Sequence, residues 1–330
     1  MAKTKNAHMV VNGQWKAWFS SRKSMGSGLR KALSALILGL SFSLVFVYLM
    51  RAWADIQMYP WRATFDGRSF SVALLSLFCH FSVNVLAFRV LLRERGCVIE
   101  TVALFRICLL ANMARYVPGK IWTVTGKGYL LARHGVNAAA ATRAVLLEVV
   151  LTVTAGLFVC FPLLGFVLPV KAPWSWLTLC AWLILPGLLG VRLIAGRIRR
   201  LAWLAEASLP PTTLCLVFGL YALAWVVYGF SFWLLVRTLA PVSISFLPHA
   251  VASMGNAWLA GVAVLLAPAG LGVRESVLLL LLKSWLPLGV AAVLALGARV
   301  WMTLGELLAL GLVYILPARD GPNMAPSSKD

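Results

Sequence analysis

Apolar runs close to the roughly 20 residues needed to cross a bilayer recur along this chain, from about residue 32 to residue 316. Little is left over for a soluble domain. The expected fold class is therefore all-α, a polytopic integral membrane protein. Composition supports this. The hydrophobic share is 61% and the charged share 12%, against about 45–50% apolar in ordinary soluble domains.

Charge then orients the runs. The net charge of +20 in a soluble protein would point to nucleic acid, but no nucleic-acid motif accompanies it. Cations gathered in the loops on one side of the runs fit a cytoplasmic face instead. Residues 1–31 carry Lys3, Lys5, Lys16, Arg22, Lys23, Arg30 and Lys31 with no acid. They read as a basic cytoplasmic tail, with Trp15, Trp18 and Phe19 suited to a surface-lying helix. The apolar run after the tail reaches spanning length without a convincing cleavage site, which argues against a signal peptide. Full spans are expected at about 32–50, 69–91, 143–168, 174–191, 213–238 and 289–316, about six in all. Both termini fall in the cytoplasm, and 317–330 is expected to be a disordered tail. The six cysteines and four histidines are scattered. The cysteines read as small core hydrophobes, and no metal or other cofactor is expected. His80 and Asn84 are expected to hydrogen-bond between helices.

Two segments break the pattern. In Arg115-Tyr116-Val117-Pro118-Gly119-Lys120, Pro118 removes a backbone donor and Gly119 frees φ. Arms of about 101–116 and 120–132 flank this break, each short for a span. If the first arm crossed fully, Lys120, Lys127, Arg133 and Arg143 would end outside, against the charge rule. A re-entrant helical hairpin entered from the cytoplasm resolves the conflict; two short tilted spans are the alternative. A second break follows at Pro268-Ala269-Gly270-Leu271-Gly272-Val273-Arg274-Glu275, between arms of about 247–267 and 276–286. Span, broken hairpin and span thus occur twice, over about 69–168 and 213–316. By charge the two units have opposite orientation, the pattern of inverted repeats in secondary transporters. The reading is two re-entrant hairpins in inverted repeats, within one transmembrane domain over 32–316.

These residues also carry a resemblance. The stretch Arg115 to Trp122, the later Gly135-Val136, and Pro268 to Glu275 resemble the two signature stretches of the lysylphosphatidylglycerol synthase transmembrane-region family. That family is also described as the flippase-like domain of the multiple peptide resistance factor. The resemblance covers about 30 to 316. It implies a polytopic fold in the bacterial cytoplasmic (inner) membrane and, for its best-understood members, movement of phospholipid between leaflets. Full synthases add a soluble aminoacyl-transferase domain after the membrane part. This chain stops at Asp330, so lysyl transfer is not expected.

A flippase shelters a polar headgroup while the acyl chains stay in lipid. Arg115, Lys120 and Arg274 are candidates to hold a phosphate. Glu275 stands next to Arg274, and Glu148 and Glu306 are acids within or near spans, where an unpaired charge is costly. They are candidates to pair with basic groups, meet a cationic headgroup or carry a proton. Arg299 completes the charged set, and Pro118, Gly119, Pro268, Gly270 and Gly272 shape the breaks that present it. The competing reading makes Arg274–Glu275 and Arg299–Glu306 structural ion pairs. It makes Arg115 and Lys120 interfacial, and Trp122, Trp258, Trp285 and Trp301 anchors or packing groups. The expected ligand is a membrane lipid: an anionic or aminoacylated phospholipid, or an isoprenoid lipid. A homodimer or a membrane enzyme partner is an open expectation. A membrane enzyme acting on headgroups finds weaker support, since only Asp55 and Asp66 in a short loop offer acid pairs, and no catalytic cluster is visible. A non-catalytic partner of a lipid- or glycan-modifying enzyme is the remaining alternative.

Overall fold

The structure is a computed structural model. It describes residues 53–114, 121–167, 209–264 and 270–317, with isolated positions between 43 and 51. The described residues form helices and connecting turns, with no strand among them. Eight helices build the body: α1 (Gly67–Arg93), α2 (Thr101–Met113), α3 (Ile121–Arg133), α4 (Ala138–Cys160), α5 (Pro211–Leu239), α6 (Leu247–Ala263), α7 (Val273–Leu282) and α8 (Leu288–Ile315).

Local chemistry sets where they start. Asp66 accepts from the Arg68 backbone N–H at 3.0 Å and from the Ser69 hydroxyl at 2.6 Å, which caps α1. The Ser69 hydroxyl, with the Arg68 N–H, holds the Asp66 carboxyl below the usual carboxylate range. The acid left open as a catalytic candidate is thus engaged at a helix start. Asn137 caps α4 through the N–H groups of Ala139 and Ala140. Pro211 opens α5 and Pro287 precedes α8, both positions where a missing N–H costs nothing.

Lengths fall into two classes. The long helices α1, α4, α5 and α8 have 27, 23, 29 and 28 residues and are apolar enough to cross a membrane. They match the spans expected at 69–91, 143–168, 213–238 and 289–316. Between them, α2 and α3 have 13 residues each, about 20 Å of helix against a hydrocarbon core of about 30 Å. Their counterparts α6 and α7 have 17 and 10 residues. The expected arms are these four short helices. The spans expected at 32–50 and 174–191, and both tails, lie outside the described residues.

Packing follows a rule of exchange. The most extensive contact joins α1 to α5. Each other contact between labelled helices has a partner when α1–α4 are exchanged for α5–α8. Helix α5 touches α4 as α1 touches α8; α6 touches α4 as α2 touches α8; α3 touches α4 as α7 touches α8. Lipid supplies no hydrophobic drive between helices, so close approach at small residues matters. A Cβ on Gly156 of α4 would lie 2.9 Å from the Trp225 ring of α5, and one on Gly305 of α8 would lie 2.5 Å from Leu77 of α1. These two glycines occupy equivalent places in the exchange.

Cys108 and Cys160 are buried, as expected of core residues, whereas Cys79 and Cys215 are exposed on the outer faces of α1 and α5. Those faces carry exposed leucines as well. An apolar thiol suits such a lipid-facing surface as well as a core.

Candidate functional site

A cavity of about 430 Å³ opens between the two halves, and all eight helices contribute to its wall. Its apolar lining is interrupted by a few polar side chains, the composition expected where a polar group is received inside a bundle.

On α1, His80 and Asn84 lie one turn apart and face this space. His80 Nδ1 hydrogen-bonds the Ala224 carbonyl of α5 at 2.9 Å, the interhelical bond expected from sequence. Asn84 instead donates to the His80 carbonyl of its own helix at 2.8 Å. The His80 ring stacks on Tyr228 with centroids 4.7 Å apart, and Trp301 stacks beyond Tyr228 at 6.3 Å. Trp301 is a packing group, not an interfacial anchor: only 1% of it is exposed. Trp258 lines the cavity, and Trp285 is half exposed.

Glu148 of α4 meets Lys127 of α3. Lys127 Nζ donates to both carboxylate oxygens, at 2.5 and 2.7 Å, and lies 3.8 Å from the centre of the Phe88 ring. Both charged side chains line the cavity. A charge in this setting is tolerated because its partner is in place.

The start of α7 sends two opposite charges in two directions. Arg274 lines the cavity and donates to the Tyr228 hydroxyl. Among the described residues no carboxylate forms an ion pair with it. Glu275 turns the other way. Its Oε1 accepts from Arg299 Nη1 of α8 at 2.6 Å, and its Oε2 accepts from the Gly272 backbone N–H at 2.7 Å. Arg299 thus pairs across helices with Glu275. Glu306, weighed from sequence as its partner, lies two turns further along the same helix, about 10 Å. Arg274 and Glu275 form no ion pair with each other. Glu306 is fully buried in α8.

Gly270 and Gly272 have φ of 68° and 79°, a region that L side chains avoid. A Cβ on Gly270 would lie 2.9 Å from Gly261 Cα. Their part is to turn the chain tightly against α6 and start α7 at the depth where Arg274 faces the cavity. Arg115, Pro118, Gly119, Lys120 and Pro268 lie outside the described residues.

The family described as lysylphosphatidylglycerol synthase TM region matches residues 32–309. The chain belongs to this family. It is a multi-pass membrane protein of a family associated with lipid handling, and the matched stretch contains every cavity-lining residue. A comparison with curated protein sequences finds no match.

In this TM-region protein the structure brings Glu148 and Arg274 to one cavity. It sets Glu275 and Arg299 behind them as a separate pair. Lys127 and Tyr228 are the residues that sequence reasoning passed over. A lysine inside a short apolar arm was the available signal for the first. Tyr228 gave none, since only the fold places its hydroxyl beside Arg274. Among the described residues no group of three His, Cys, Asp or Glu is placed to hold a metal ion.

Proposed function

We propose that this protein moves a polar lipid with an anionic, phosphate-bearing headgroup between the leaflets of the bacterial inner membrane. The observation that carries this is the cavity. It lies among helices of spanning length, takes lining from both halves, and among the described residues sets Lys127 and Arg274 against one acid, Glu148. That surplus of positive charge complements one phosphate, which a guanidinium holds in bidentate fashion. The apolar remainder of the wall suits the carbons next to the phosphate.

The exchange of contacts between α1–α4 and α5–α8 supports an internal repeat. Taken with the loop charges, we read the halves as inverted repeats, with α2–α3 and α6–α7 as re-entrant hairpins. The basic residues 1–31 then lie in the cytoplasm with the C-terminus. A site at the junction of two such halves can face either leaflet in turn.

The test is translocation of labelled lipid in reconstituted vesicles. The wild-type chain should move an anionic, aminoacylated or isoprenoid-phosphate lipid well above empty vesicles. Arg274→Gln should slow it by about tenfold or more, the loss expected for a charge-assisted contact to phosphate. No movement of any of these lipids by the wild type would overturn the reading.

A further inference from the structure

Each half of the molecule carries one ion pair between its second short helix and its closing long helix. In the first half Lys127 of α3 meets Glu148 of α4, and in the second Glu275 of α7 meets Arg299 of α8. The polarity is reversed, and so is the setting. Glu275 and Arg299 are not part of the cavity wall, and Glu275 spends its second oxygen on the Gly272 N–H. Lys127 and Glu148 both face the cavity that also holds Arg274. Glu148 gives both its oxygens to Lys127.

We infer that Glu148 is a stand-in for the ligand: the headgroup phosphate takes Lys127 from Glu148 and is then held by Lys127 together with Arg274. This rests on the reading of the cavity as a headgroup site. The chemistry follows from the pair itself. A carboxylate and a phosphate monoanion offer the same ammonium the same kind of oxygen acceptors. A buried lysine keeps its charge only while some anion is beside it. In this structure Glu148 fills that place. When phosphate enters, Lys127 exchanges one anion for another without passing through an unpaired state. Lys127 thereby becomes a second binding residue, and Glu148 an internal competitor whose removal strengthens binding. A merely structural ion pair predicts the opposite.

Binding to the purified full chain in uncharged detergent decides this, measured by titration calorimetry with dioctanoyl phosphatidylglycerol, inorganic phosphate and dioctanoylglycerol as separate probes. Glu148→Gln should bind the phosphatidylglycerol about tenfold more tightly than wild type, and Lys127→Gln about tenfold more weakly. Glu148→Asp keeps the charge but shortens the reach, and should tighten binding by about twofold to threefold. It decides the matter alone if Glu148→Gln does not fold. Dioctanoylglycerol, which has no phosphate, should respond to none of the three. Equal or weaker phosphatidylglycerol binding by both Glu148 variants would overturn the inference while leaving the transport reading intact. A wild-type chain that does not bind the phosphatidylglycerol would instead remove the headgroup site on which the inference stands. Inorganic phosphate bound as tightly as the lipid would overturn the assignment of the anion to a lipid.

Discussion

The two halves place an ion pair in the same slot and set it differently against the cavity. In the second half the pair lies off the cavity wall. Glu275 is 5% exposed, capped onto the Gly272 N–H and bound to Arg299. In the first half the pair borders the cavity, and among the described residues no backbone N–H donates to its acid. Equivalent packing therefore does not mean equivalent access to the cavity. On the function proposed above, the pair at the cavity wall is a working group and the pair away from it a strut.

The largest expected effect tests the strut. Arg299→Gln leaves Glu275 buried without its cation, and removing one partner of such a pair costs about 3–5 kcal/mol. Thermal or denaturant unfolding in detergent measures it. Lys127→Gln leaves Glu148 where water in the cavity reaches it. Its cost should fall between the exposed and buried limits, about 1–3 kcal/mol. Equal losses in the two variants would break the comparison.

Reversing each pair sharpens it. Lys127→Glu with Glu148→Lys keeps a salt bridge between α3 and α4 and needs no backbone partner, so stability should change by less than about 1 kcal/mol. Glu275→Arg with Arg299→Glu also keeps a bridge. However, an arginine at 275 cannot accept from the Gly272 N–H, and it puts a cation in the first turn of α7. Loss of the cap and the wrong charge at the helix N-terminus together should cost about 1–2 kcal/mol. The same unfolding measurement separates the two double variants, and similar values would show that the cap does not distinguish the pairs.

Much of this architecture was legible before the structure, and the reasons are physical. Hydropathy marks what a helix does along its length. It found α1, α4, α5 and α8 as spans and α2, α3, α6 and α7 as shorter arms to within a few residues, except that α4 starts earlier, at Ala138, and ends earlier, at Cys160. Ala138–Ala141 are too small to carry a strong apolar signal, and it is Asn137 that caps them into a helix. Side-chain partners were less legible, because they depend on what crosses from another helix. Arg299 reaches Glu275 on α7, a partner that no spacing along α8 announces. Lys127 was counted only as a loop-side charge, although a lysine seven positions into a short apolar arm already asks for an anion nearby. Gly270 and Gly272 shape the second break through the backbone, by positive φ at both and the close approach of Gly270 to Gly261.

The smallest expected effect concerns the glycines that seat each closing helix on the other half. Gly156→Ala would push its methyl against the Trp225 ring, whose Nε1 is fixed to the Thr152 carbonyl at 2.9 Å. The ring cannot retreat without losing that bond. Overpacking of about 1–3 kcal/mol should exceed the gain of about 1 kcal/mol from replacing a helical glycine. Gly305→Ala meets Leu77 Cδ1, the far end of a side chain that no hydrogen bond ties down. There the two terms should nearly cancel, leaving a net change within about 0.5 kcal/mol. Unfolding of the two variants side by side reads the difference. If Gly305→Ala proved the costlier, close seating would matter more between α8 and α1 than between α4 and α5. The ring at Trp225, which also borders the cavity, would then be free to shift, and the first half would be the more pliant of the two at its seams as well as at its ion pair.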